Sequence, residues 1–173
     1  MPEANGNWWY WGQSSKFVPA WNHIGKILED QGALQYATLV WIPFCEGVPQ
    51  ASDPERFYPG DKYVDWIGLS AFSKAATRGW NLSFEEMITK TYNRMLKDHR
   101  NKPLMQGEFG RTNAYDQARW LTNAFKNIKN DFPALRAAIC FGFVGFGDDS
   151  TLNEKSLRTL GDIFKDPYWI MAK

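Results

Sequence analysis

A chain of 173 residues has room for one domain and a sizeable apolar core. Its 20 Lys and Arg against 19 Asp and Glu leave a net charge of +1, so composition makes no electrostatic case for a nucleic acid or a membrane surface as partner. No apolar stretch approaches the roughly 18 residues that a membrane-spanning helix needs.

Met1-Pro2-Glu3 runs directly into a motif-dense segment, so the chain reads as a piece of a longer parent. Met1 to Ala4 has the look of a strand end, and Asn5 to Ser15 that of a Trp-rich loop. From Phe17 to Asp30, apolar residues recur at Val18, Trp21, Ile24, Ile27 and Leu28, a helical spacing. Gly32 is its stop signal. Tyr36 to Pro43 is an apolar run of buried parallel-strand type. A proline-bearing loop follows from Cys45 to Pro59, and Gly60 to Val64 fits one helical turn.

Asp65 to Phe72 is the next strand. Ser83 opens a helix, with Glu86 three residues on completing a capping box, and that helix runs to about His99. Pro103 to Phe109 is a strand, Tyr115 to Asn130 a helix, Ala137 to Val144 a strand and Ser156 to Phe164 the last helix. Strands alternating with helices imply an α/β protein with a parallel sheet covered by helices. Five strands fit either an open sheet or part of a closed barrel. No GxGxxG or Walker pattern follows any strand, so nucleotide binding is not indicated.

The chemistry-bearing residues are two carboxylates. Glu3 and Glu108 both fall at C-terminal strand ends, where barrel enzymes place catalysis. Glycosidic cleavage needs two such groups flanking the bond, about 5–5.5 Å apart in a retaining enzyme. Three strands apart, these two can meet across a closed barrel. A structural carboxylate bonded to loop amides is the plainer reading of Glu108 alone. The aromatic content, with 9 Trp, 12 Phe and 7 Tyr, fits either a large core or a cleft whose flat rings pack on sugar faces.

Glu3-Ala4-Asn5-Gly6-Asn7-Trp8-Trp9-Tyr10-Trp11 resembles the fourth-strand motif of glycoside hydrolase family 26, which includes β-mannanases. Tyr58-Pro59-Gly60-Asp61 through Leu69 resembles that family's approach to strand six. Lys102-Pro103-Leu104-Met105 with Gly107-Glu108-Phe109-Gly110 resembles strand seven, and Phe132-Pro133 before Ala138-Ile139 the entry to strand eight. The resemblance implies a (β/α)₈ TIM barrel of which this chain covers roughly strands four to eight, as a single partial catalytic domain. It implies retaining endo-hydrolysis of a β-linked polysaccharide, mannan first and β-glucan or xylan next, with no cofactor and no metal. Export from the cell is the corresponding expectation.

By the same resemblance Glu3 is the acid/base and Glu108 the nucleophile. Asn5, Trp8, Trp11, Trp41, Phe72 and Phe141 are the substrate-binding candidates, with Phe143 an alternative to Phe141. Two departures stand out. Pro2 replaces a residue that is usually polar. Phe72 stands where the family usually has a Tyr whose hydroxyl orients the nucleophile. They motivate a second reading, a non-catalytic carbohydrate-binding relative. A third is an open α/β protein of unrelated activity.

Of the remaining residues, His23 and His99 read as surface or capping groups, and Cys45 and Cys140 as free thiols. Lys62 and Asp65 read as a local ion pair, Arg111 as a cleft-lining or surface-paired cation and Asp148-Asp149 as a solvated loop. Tyr168 and Trp169 read as packing for the last helix. A complete barrel takes about 250 residues. An open sheet has two bare edges, so this chain is expected to require its N-terminal strands, or a second copy, to close.

Overall fold

The computed structural model describes residues 14–47, 53–73, 79, 81–111, 116–141 and 152–170. The expected strand end at Met1 to Ala4 lies outside these residues. Four parallel strands lie in the order β1 (Val40–Trp41), β2 (Trp66–Ser73), β3 (Leu104–Arg111) and β4 (Leu135–Cys140). The helices are α1 (Ser14–Asp30), α2 (Phe84–Asp98), α3 (Gln117–Asn130) and α4 (Glu154–Ile163). A parallel sheet with intervening helices is what the alternating sequence pattern predicts.

Local chemistry sets the helix ends. Ser83 Oγ accepts from the Glu86 amide while the Ser83 amide donates to Glu86 Oε2, the reciprocal capping box that the sequence announces. Beyond α1, Gly32 adopts φ +66°, a left-handed turn that glycine enters without a Cβ penalty. The expected turn near Gly60 forms as a 3₁₀ turn, Asp61–Tyr63. The strand expected from Tyr36 to Pro43 is shorter than its apolar run. The Leu39 amide donates to the Asp65 carboxylate at 2.7 Å, so regular pairing begins only at Val40.

The core lies between the sheet and α2 and α3. Ile67, Leu69 and Ala71 of β2 and Leu104 and Phe109 of β3 are buried there. Phe84, Met87, Ile88 and Met95 of α2 meet them, at the spacing that puts one helix face inward. Leu121, Ala124, Phe125 and Ile128 of α3 do the same. Phe109 sits edge-on to both Phe84 and Phe125, each with ring centroids 5.4 Å apart. Trp169 packs edge-on to Phe125 at 5.1 Å, as expected for a residue seating the C-terminal helix.

The opposite face of the sheet is built for close approach. A Cβ on Gly68 would lie 2.8 Å from Ile42 Cγ1 and 3.3 Å from Gly107 Cα. Ile42 thus fills the space left by Gly68 and Gly107. Among the described residues β4 forms one edge of the sheet, and Arg136, Ala137 and Ile139 along it are exposed.

One pairing differs from expectation. Lys62 reaches Glu29 at 3.0 Å rather than Asp65, whose carboxylate is engaged by the Leu39 amide. Of its two expected readings His99 takes the capping one. It caps α2, its ring nitrogen lies 3.0 Å from Glu55 and its ring rests 4.2 Å from that of Tyr58. Cys45, which is buried, and Cys140, which is half-buried, form no disulfide.

Gly68→Ala is expected to cost about 1–3 kcal/mol by overpacking against Ile42. Urea unfolding of Gly68→Ala, Ile42→Ala and the double variant checks this. The double variant should be more stable than the two single losses predict, and strict additivity would contradict the packing described.

Candidate active site

Strict alternation along Leu104-Met105-Gln106-Gly107-Glu108-Phe109 would put Glu108 on the same face as Leu104 and Gln106. That face is the helix-side core. The register shows otherwise. Leu69 pairs with Gln106, but the next residue of β2, Ser70, pairs with Glu108. Gly107 is therefore an extra residue on β3. The same surplus appears against β4, where Gln106 pairs with Ala138 and Phe109 with Cys140.

Such a bulge re-aims every side chain beyond it. Phe109 turns into the helix-side core, where it is fully buried. Glu108 turns to the opposite face, in register with Ser70 and near the C-terminal ends of the strands.

Ser70 is fully buried, and its Oγ donates to Glu108 Oε1 at 3.2 Å. That distance is long for a hydroxyl on a carboxylate. Burial pushes the Glu108 carboxyl above its ordinary value, and the Ser70 bond opposes the rise. Ser70 is itself fixed by its backbone, which accepts from the Cys45 amide at 2.9 Å and donates to the Pro43 carbonyl at 3.0 Å.

Two residues further along β2, Phe72 pairs with Gly110, on the same face as Ser70. Its ring meets Phe141 edge-on at 5.4 Å. The structure thus brings Glu108, Phe72 and Phe141 to one face and one end of the sheet. Glu3, Asn5, Trp8, Trp11, Phe143, Asp148 and Asp149 lie outside the described residues.

Trp41 is placed differently from the expectation that it borders the substrate cleft. It pairs with Ile67, on the helix side, and is only 1% exposed. Its ring packs edge-on against Tyr58 at 5.0 Å. Arg111 is also buried away from a cleft surface. Three residues past Glu108, it donates to Ser73 Oγ at 3.2 Å and to Asn81 Oδ1 at 2.8 Å.

Ser70 escaped the sequence reading. Its signal was its place two residues before Phe72, which alternation puts on the same face. Among the described residues, no group of three His, Cys, Asp or Glu side chains converges as a metal site. A polar hollow of about 210 Å³ at the N-terminal strand ends is lined by Thr38, Lys62, Tyr63 and Asp65, among others. It lies at the end opposite Glu108, the end that carries stability rather than chemistry in barrels.

The family model described as Glycosyl hydrolase family 26 matches residues 1–88. Endoglucanase H of Acetivibrio thermocellus is 29% identical over 155 residues, covering 82% of this chain and 17% of that protein. A Cellulomonas fimi endo-β-1,4-mannanase double mutant superposes with a TM-score of 0.71 at 20% identity, covering 98% of this chain and 40% of the other. The catalytic domain of the family 26 endo-β-1,4-mannanase from Bacillus sp. JAMB-750 gives 0.71 at 19% identity, covering 97% and 49%.

The chain thus spans about a sixth of the curated relative and less than half of these two mannanase structures. The likeness in fold makes the four-stranded sheet part of a TIM barrel, as the family resemblance implied. With the family's model matched over half its length, this chain belongs to glycosyl hydrolase family 26.

Proposed function

We propose that this chain carries the nucleophile-bearing part of a retaining, endo-acting glycoside hydrolase. The observation that carries the reading is the bulge at Gly107, which turns Glu108 out of the core and sets it beside the Ser70 hydroxyl at a C-terminal strand end. Glu108 attacks the anomeric carbon and forms a glycosyl ester, while the bond to the departing oxygen breaks. Glu3 gives its proton to that oxygen. Glu3 then takes a proton from water, whose oxygen attacks the anomeric carbon and frees Glu108. Phe72 and Phe141 supply an apolar wall for the sugar ring.

A β-linked polysaccharide is the substrate class. The structural neighbours named as mannanases favour mannan, and the relative named an endoglucanase keeps β-glucan in view. The non-catalytic reading draws on Pro2 and on Phe72, which lacks the orienting Tyr hydroxyl. Ser70 weakens the second argument, because a hydroxyl donor does stand beside Glu108. We also propose that the β4 edge is closed by N-terminal strands or by a second copy of the chain. Ile139 on that edge is 53% exposed, which favours such a contact.

Incubating the whole protein with mannan, mixed-linkage glucan and xylan tests the reading. Release of reducing ends is expected, and Glu108→Ala should lower it on the order of 10⁴-fold, as loss of a catalytic group does elsewhere. Binding without release by the wild type would favour the non-catalytic alternative.

The pH dependence follows from the burial of Glu108. A nucleophile must be ionised, and this carboxyl is raised. The acid limb of kcat/KM should therefore lie above the ordinary Glu range. The same shift bears on stability. A carboxyl raised in the folded state contributes stability below its unfolded value, and that contribution is lost as pH rises through the folded value. Glu108→Gln should accordingly raise Tm at pH 7 while abolishing turnover. Thermal unfolding at pH 7 and pH 4 reads this out, and a Tm that falls at pH 7 would contradict it.

Light scattering on the isolated 173-residue chain should find associated species, since β4 is bare among the described residues. A stable monomer would contradict the edge argument.

A further inference from the structure

Gln106 is a carboxamide fully buried in a layer of aliphatic and aromatic side chains, in register with Leu69 and in the same row as Leu104. Packing alone would be better served there by Leu or Met, because an amide in such surroundings is costly unless its hydrogen bonds are made. Its Nε2 donates to the Leu69 carbonyl at 2.9 Å and to the Glu108 carbonyl at 3.0 Å. Both partners are acceptors, so the amide orientation is fixed: the reverse would set oxygen against oxygen. Gln106 Oε1 is buried without a hydrogen-bond partner among the described residues. The side chain thus accepts an unsatisfied oxygen in order to place two donors.

The location of those donors gives them meaning. Leu69 is the last residue of β2 before the register jumps, and Glu108 is the first residue of β3 beyond the extra Gly107. The two carbonyls bracket the bulge, and one amide group ties both. Without that tie, an extra residue in a parallel strand can relax by a one-residue slip, which exchanges the faces of every side chain beyond it. Phe109 would leave the core, and Glu108 would enter it.

We propose that Gln106 is a positioning residue for the nucleophile: its carboxamide clamps the Gly107 bulge and so holds Glu108 on the face that carries Ser70. The proposal rests on the reading of Glu108 as the reacting carboxylate. Gln106 touches no substrate and acts only through the backbone on either side of Gly107.

The test compares Gln106→Met, which keeps the length and loses both donors, with Met95→Ala. Met95 is buried on α2 in the helix-side core, the face of the sheet from which Glu108 turns away, so it serves as a control for general destabilisation. In the whole protein, Gln106→Met should lower kcat by about 100-fold, the scale of an ångström-sized misplacement. KM should change by less than about threefold. The acid limb of kcat/KM should move to higher pH, since a carboxyl parted from Ser70 ionises less readily. Met95→Ala should lower Tm without moving kcat or the limb. Equal behaviour of the two variants would overturn the proposal.

Should Gln106→Met fail to fold, Gln106→Glu keeps one donor in its protonated form and should give an intermediate loss of kcat. An unchanged kcat in that variant would also overturn the proposal. A crystal structure of either variant separates this inference from the functional one. If Gly107 stays out of register and Glu108 still faces Ser70, the clamp is refuted whatever the protein cleaves. If the bulge is lost while the wild type cleaves no polysaccharide, the clamp stands and the hydrolase reading falls.

Discussion

Residues along a strand alternate between two faces, and β3 must serve both. One face has to deliver Leu104 and Phe109 to a core shared with α2 and α3. The other has to present a carboxylate at the end of the strand. Five positions separate Leu104 from Phe109, an odd number, so an unbroken strand would put them on opposite faces. The surplus residue at Gly107 resolves the conflict. Phe109 and Glu108 are adjacent, so seating the one in the core requires the other to face away from it. Core packing and site geometry are the same constraint seen from two sides.

That arrangement has an energetic cost localised at Glu108. A half-buried carboxylate loses hydration, and its protonated form is favoured accordingly. The Ser70 hydroxyl offsets part of this, and Ser70 is held by backbone bonds to Pro43 and Cys45. The strands around the site therefore brace one another: the loop after β1 fixes Ser70, and Ser70 addresses Glu108 on β3. Close approach of these strands depends on Gly68 and Gly107, whose missing side chains leave room for Ile42.

Much of the fold could be read from the residues. The helical spacing in α1, the Ser83–Glu86 box and the apolar strand runs each found their counterparts, because each is a local signal. The strand-end position of Glu108 was also legible, from its Gly-Glu-Phe-Gly setting, and the family resemblance singled out Phe72 and Phe141, whose rings meet near that end. What escaped the sequence was register. Trp41 was expected at the cleft from the family resemblance, yet its pairing with Ile67 turns it into the helix-side core. Ser70 and Gln106 were overlooked because a single polar residue in an apolar strand carries no motif. Their roles exist only once β2 and β3 are aligned with the extra residue in place. Lys62 and Asp65, close in sequence, turned to Glu29 and Leu39, which are close only in space.

The central claim is that Glu108 is the atom donor to the anomeric carbon. A 2-deoxy-2-fluoro glycoside with a good leaving group traps such a nucleophile, because the fluorine slows both formation and hydrolysis of the glycosyl ester while the good leaving group restores the rate of formation alone, so the ester accumulates. Peptide mapping by mass spectrometry after incubation of the whole protein then identifies the labelled side chain. The account predicts one fluorosugar attached to Glu108. A label on another carboxylate, or no label under conditions where the protein releases sugar, would contradict it.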